Sequence, residues 1–241
     1  AVSRWPNKYA IGLTGNIAVG KSVVRQMLQH LGAYTIDADG LSHQAMQPGA
    51  PAYKPVVETF GQFILDQDKR IDRVALGRIV FANPQALAKL EAIVHPIVGQ
   101  AINTLVLRSK QRVVVIEAIK LLEGDLAHAV DTVWVVNASP EVQLKRLIDK
   151  RKMSEAEARQ RIAAQAAQAE KLARANVVID NSGSVDLTWQ QVQNAWTQVR
   201  QTVTGQTGAS NPAHTATQTS PAVPPSQAAA PAQPAPSGPV V

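Results

Sequence analysis

Eight consecutive residues, Gly15-Asn16-Ile17-Ala18-Val19-Gly20-Lys21-Ser22, constrain the fold of this chain more than any other stretch. They fit G-x-x-x-x-G-K-[ST], a pattern that works only where a strand enters and a helix leaves. Both flanks comply. Tyr9 to Leu13 is a short apolar run of strand character, and Val23, Val24, Met27, Leu28 and Leu31 follow the loop at helical spacing. Glycines let the backbone turn so that successive N–H groups point inward, and the helix N-terminus adds positive potential there. Such a cradle holds the phosphates of a nucleotide. Lys21 reaches the terminal phosphates, the Ser22 hydroxyl ligates magnesium, and the expected nucleotide-binding run is Gly15, Asn16, Ile17, Ala18, Val19, Gly20, Lys21, Ser22 and Val23.

Four more runs read as buried strands: Tyr34 to Ile36, Val113 to Ile116, Val133 to Val136 and Val177 to Ile179. They are nearly continuous in hydrophobicity and alternate with segments of helical period, so the fold class is α/β, a parallel sheet with helices on both faces. About 75 residues separate the second run from the third, too many for one crossover helix. Asp72 caps a helix with Val74, Leu76, Ile79 and Val80 on its apolar side. Asn83 caps another, with Pro84 in its first turn and Leu87, Leu90, Val94, Ile97, Ala101 and Leu105 along one face. Pro96 is expected to kink it. This insertion, about 53–109, reads as a helical subdomain able to cover a substrate.

Further on, Ser139-Pro140 opens a helix to about Lys150, and Ser154 with Glu157 forms a capping box. The basic residues between Lys150 and Arg174, Lys171 among them, read mostly as a solvated helix face. Leu187, Val192, Trp196 and Val199 mark the buried side of a last helix, about Val185 to Val203. Domain organisation is therefore 1–204 folded and 205–241 disordered. The stretch 205–241 has no charged side chain and holds eight of the 15 prolines, and it cannot bury enough apolar surface to offset its ordering entropy.

Composition narrows the function. There is no cysteine, and five scattered histidines lack ligand spacing, which argues against thiolate chemistry and a side-chain metal cage. No run approaches the ~18 uninterrupted apolar residues of a membrane span, so a soluble cytoplasmic protein is expected. The net charge of +6 suits either a nucleic-acid backbone or the phosphates of a small ligand. With aromatic residues at only 4%, few rings are available for base stacking, and the small ligand is favoured over nucleic acid. The second strand ends in Ile36-Asp37-Ala38-Asp39-Gly40, at the edge where ligands bind in parallel sheets. One aspartate there can accept the proton of an attacking hydroxyl; equally, Asp37 or Asp39 can cap the helix that begins near Gly40. No Asn-Lys-x-Asp base-specifying motif occurs, which leaves small-molecule kinases and ATPases.

Several stretches together resemble the dephospho-coenzyme A kinase family. They are Gly12-Leu13-Thr14-Gly15 running into Gly20-Lys21-Ser22, Ile36-Asp37-Ala38-Asp39 with His43, Pro48-Gly49-Ala50-Pro51-Ala52, Ile71-Asp72-Arg73, and Leu90-Glu91 with His95-Pro96. Gln143-Leu144-Lys145-Arg146 with Arg151, Arg161-Ile162 with Gln165, and Ile179-Asp180-Asn181 continue the match, which spans roughly Lys8 to Val203. The resemblance implies a P-loop kinase core with strand order 2-3-1-4-5, a helical substrate domain and a lid at about 146–174. It implies ATP as donor, Mg2+, and transfer to the ribose 3′-hydroxyl of dephospho-coenzyme A; the sequence does not give the oligomeric state, and a monomer is favoured. It assigns catalysis to Asp39 with Lys21 and Arg146, with Arg151 on the phosphates and Asn181 near the adenine. Another P-loop kinase of a nucleoside, nucleotide or small alcohol, or a nucleotide binder without transfer activity, are the alternatives.

The chain departs from the family pattern in places. Glu117-Ala118-Ile119-Lys120 stands where the family has an aspartate and then Pro-Leu, and Asn16 and Ala18 replace loop glycines. Val23 stands where a threonine is common. Lys120 is positioned to pair with Glu117 or Glu123, or to touch a phosphate. Truncation at Gly205 is expected to leave activity unchanged, and a collapse of turnover in the shortened protein would overturn that reading of the tail.

Overall fold

Short runs of β-branched residues pair side by side because each is apolar on both faces and needs cover on both. The computed structural model describes residues 4–124, 126–163 and 168–205. The tail beyond residue 205, expected to be disordered, and Gln165 lie outside the described residues. In chain order, β1 (Tyr9–Thr14) leads to α1 (Lys21–His30), and β2 (Tyr34–Asp37) to α2 (Ala38–Ala45). Then come α3 (Tyr53–Phe60), α4 (Arg73–Ala82) and the long α5 (Pro84–Arg108). β3 (Val113–Glu117), α6 (Leu126–Ala129), β4 (Thr132–Asn137), α7 (Pro140–Arg151) and α8 (Glu155–Ala163) follow, then α9 (Gln168–Ala173), β5 (Val177–Asp180) and α10 (Val185–Gly205).

The sheet order is β2-β3-β1-β4-β5 and every neighbouring pair is parallel. All five C-terminal ends therefore share one edge, bringing Thr14, Asp37, Glu117, Asn137 and Asp180 to it. Asp37 and Glu117 lie in register on adjacent strands. Alternation along each strand splits the core in two. Ile11, Leu13, Val113, Val115, Trp134 and Val136 pack with Val24 and Leu28 of α1 and Val192, Trp196 and Val199 of α10. Ala10, Val114, Ile116, Val133 and Val135 face the other way, into the core that includes Val56, Leu76, Val80 and Ile102 of the helical insertion.

The helix starts follow their caps. Asp72 Oδ1 accepts from Val74 N at 2.8 Å and Ala75 N at 3.2 Å, and Asn83 Oδ1 from Gln85 N at 2.9 Å and Ala86 N at 3.2 Å. Ser139 Oγ caps α7, and Ser154 with Glu157 closes the capping box. Helix rotation was less legible. Val74 is 63% exposed and Leu187 55% exposed, while Val94, Val98, Ile102 and Val106 form the buried stripe of α5. Leu187 sits one position, about 100° of helical turn, from the buried Thr188, and Val74 two positions from the buried Leu76. Thr188 takes the place expected for Leu187. Pro96 does not end α5, which continues to Arg108. By length and mean hydropathy α5 could cross a membrane, although its apolar stripe is committed to the core.

These rotations have a thermodynamic test. Ile102, 1% exposed, should cost roughly 2–5 kcal/mol when changed to Ala. Val74→Ala should stay within about 0.5 kcal/mol. Urea midpoints of the two variants check both figures.

Candidate active site

The loop between β1 and α1 turns on two glycines that no other residue replaces without strain. Gly15 has φ +148 and a Cβ there would meet Val136 O at 2.4 Å; Gly20 has φ +95 and its Cβ would meet Asn181 Nδ2 at 2.1 Å. Ala18 adopts φ 58, a left-handed conformation that costs an L-residue roughly 1–2 kcal/mol. Asn16, the other expected position of backbone restriction, has no positive φ. Loop carbonyls are turned outward into side chains. Arg146 Nη1 donates to Ala18 O at 3.2 Å and Val19 O at 3.1 Å, its Nη2 to Asn181 O at 2.7 Å, and Asn181 Nδ2 to Val19 O at 2.7 Å. Thr188 Oγ1 in turn donates to Asn181 Oδ1 at 2.9 Å.

Lys21 is 9% exposed and its Nζ donates to Gly15 O at 3.1 Å. Burial pulls its pKa below the usual 10.5, against the attraction of Glu117 and Asp39. Ser22 is exposed, and among the described residues its hydroxyl makes no hydrogen bond. Lys171 and Arg151 are the cations whose repulsion Lys21 feels.

The two aspartates divide their work. Asp37 is the N-cap of α2, its Oδ1 accepting from Gly40 N at 2.8 Å. Asp39, in the first turn, is half-buried and Oδ2 accepts from Ile119 N at 3.1 Å. Burial raises its pKa above 3.8, with the Ile119 N–H and Lys21 pulling the other way. Glu117 is likewise raised by burial and opposed by Lys21 and Arg25. Arg25 Nε lies 2.7 Å from Glu117 Oε2, a close ion pair without the alignment of a hydrogen bond. Lys120 pairs instead with Glu91 at 3.1 Å and Glu123 at 3.9 Å, not with Glu117. His95 is exposed on α5.

Sequence reasoning missed three residues here. Arg25 carried no motif. Gln168 of α9 accepts from Asn16 N at 3.3 Å and donates to Val136 O at 3.1 Å and Asn137 Oδ1 at 3.2 Å. Lys171, expected on a solvated face, is 5% exposed with Nζ donating to Ile119 O at 2.9 Å. The only available signal was that Gln168, Lys171 and Arg174 recur at helical spacing, and Arg174 Nη1 also reaches a strand-end loop, at Leu122 O, 2.6 Å away.

A backbone-amide cradle beside a buried lysine, facing a half-buried carboxylate, can hold an anion and accept a proton from a group brought to it. Gly20→Ala places a side chain on Asn181 and strains φ by about 1–2 kcal/mol. Affinity for tripolyphosphate, measured by calorimetry, should fall about tenfold or more.

Comparison with known proteins agrees with that geometry. The family model described as dephospho-CoA kinase matches residues 9–186. A dephospho-CoA kinase of Geobacter metallireducens is 47% identical over 189 residues, covering 77% of this chain and 94% of the relative. One of Streptomyces avermitilis is 45% identical over 187 residues, covering 77% and 91%. Among solved structures, TT1252 from Thermus thermophilus superposes with a TM-score of 0.71 at 30% identity, covering 80% of this chain and 97% of that one. The matched range takes in the whole sheet and the loop between β1 and α1, and this chain belongs to the dephospho-CoA kinase family.

Proposed function

We propose that the chain transfers the γ-phosphoryl group of ATP to the ribose 3′-hydroxyl of dephospho-coenzyme A, giving coenzyme A and ADP. This is the last step of coenzyme A synthesis. The observation that carries the reading is the position of Asp39: a half-buried carboxylate, held by the Ile119 N–H, in the field of the loop lysine. A ribose hydroxyl is a poor acid, but phosphoryl transfer through a loose transition state needs only late proton removal. An ordinary carboxylate within hydrogen-bond reach suffices for that.

The loop amides and Lys21 hold the phosphate chain, while Arg146 and Asn181 act from behind by keeping the loop carbonyls turned away from it. Arg151 adds charge from the lid region, about 146–174. Among the described residues no group of three or more His, Asp or Glu side chains forms a metal cage. The residues do fit magnesium, which keeps its waters and takes one or two protein ligands beside substrate phosphates. Ser22 would hold it, with Glu117 organising its water. When bound, the ion would neutralise charge on the phosphate oxygens. The insertion at about 53–109 receives dephospho-coenzyme A. We take the chain to act as a monomer in the cytoplasm.

Asp39→Asn should lower acceptor-dependent ADP release by about 10² to 10⁴, with ADP affinity retained. Its proton binds more tightly in the folded state than in the unfolded one, so stability conferred by the neutral form is lost as pH rises above 3.8. Removing the charge should therefore raise Tm at pH 7. For the same reason turnover should fade on the acid side at a higher pH than an ordinary aspartate dictates, and Asp39→Asn should lack that limb. Wild-type turnover in Asp39→Asn, or indifference of the wild type to dephospho-coenzyme A in an acceptor panel, would reject the proposal.

A further inference from the structure

Lys171 is a buried cation that the mechanism above leaves without a task. Its ammonium carries three N–H groups, and among the described residues it makes one hydrogen bond, to Ile119 O at 2.9 Å. An ion taken out of water is costly unless charge or hydrogen bonds compensate. No carboxylate within 4 Å pairs with it or with Lys21 among the described residues. The residue is nonetheless held firmly. Gln168, three positions earlier on α9, is bonded to Asn16, Val136 and Asn137, and Arg174, three positions later, to Leu122. One face of α9 is thereby docked on the C-terminal ends of β1, β3 and β4, with Lys171 at its centre.

The surroundings of Lys171 are those of the site. Asp39 and Glu123 attract it, and it is among the charges that oppose protonation of Lys21. Ile119, which accepts from Lys171 through its carbonyl, gives its N–H to Asp39. Thr14 Oγ1, at the end of β1, donates to the same carbonyl at 3.1 Å. Two buried ammonium groups, on α1 and α9, thus feel the charge of one carboxylate, and Lys171 shares Ile119 with it. Among the described residues neither has a carboxylate as an ion-pair partner, so an anion arriving between them would relieve their mutual repulsion.

We propose that Lys171 is a catalytic residue whose ammonium contacts the phosphoryl group during transfer, on the side away from Lys21. The inference rests on the phosphoryl-transfer reading of the site. In the step, the acceptor oxygen forms a bond to the γ-phosphorus while the bond from that phosphorus to the bridging oxygen breaks. The bridging electron pair leaves with ADP, and the hydroxyl proton passes to Asp39. Lys171 keeps all its protons and donates hydrogen bonds to oxygens of the transferring group, where negative charge concentrates.

A peg that merely seats α9 on Ile119 is the competing account, and Lys171→Gln separates the two. Glutamine retains a donor for the Ile119 carbonyl but carries no charge. Turnover of Lys171→Gln should fall by about 10² to 10³, with the KM for ATP and the calorimetric affinity for ADP within threefold of wild type. Binding of ADP with aluminium fluoride and dephospho-coenzyme A, a mimic of the transferring group, should weaken in parallel, and Lys171→Arg should regain at least tenfold of both. If Lys171→Gln turns over within fivefold of wild type and binds the mimic normally, the inference fails. Asp39→Asn in the same assays keeps the two claims apart. Full turnover there rejects the carboxylate reading, whereas a loss confined to Lys171→Gln leaves the cation standing alone.

Discussion

A loop that presents amide N–H groups to an anion must send its carbonyls somewhere else, and buried carbonyls need partners. Much of this site follows from that requirement. Arg146 and Asn181 receive the outward-turned carbonyls of Ala18 and Val19, and each comes from a different part of the chain. Without those partners the cradle would have no reason to keep its inward face. The same demand explains why Gly15 and Gly20 tolerate no side chain: Val136 O and Asn181 Nδ2 occupy the space a Cβ would take.

The sheet does the rest of the positioning. Because β3 lies between β1 and β2, the segment leaving β3 passes between the phosphate loop and the start of α2. Ile119 sits there and ties three elements together through main-chain atoms, with Asp39 on its N–H and Thr14 and Lys171 on its carbonyl. In this region the chain departs from the pattern its family resemblance suggested. A proline at position 119 would have no N–H for Asp39. Glu117, one methylene longer than aspartate, is met by Arg25. The replacement segment therefore carries its own set of contacts.

Catalytic capacity and stability pull against each other in this pocket. Lys21 is pushed towards neutrality by burial, and Asp39 and Glu117 are pushed towards protonation by theirs. Every one of these groups would be more comfortable in water. They are kept together by the docked loop and helices around them, and the strain is the kind that a bound polyphosphate with its counter-ion relieves.

By itself the sequence determined the strand-loop-helix at Gly15 to Ser22, the alternation that makes a parallel sheet, and the caps at Asp72, Asn83, Ser139 and Ser154. These are local: a glycine torsion, a side-chain bond to an amide two or three residues on, or a run of β-branched residues needs no distant partner to be recognised. Which side of α4, α5 and α10 faces inward was decided by tertiary packing, because several apolar residues close together on the helix compete and only the shape of the neighbouring elements chooses among them. Val74 and Leu187 lost that competition. Tertiary structure alone also gave Arg146 its carbonyls, Arg25 its glutamate, and Lys171 its buried place on the Ile119 carbonyl. Each of those contacts closes a long loop of chain, and a charged residue in an amphipathic helix looks the same in sequence whether it ends in solvent or against a strand end.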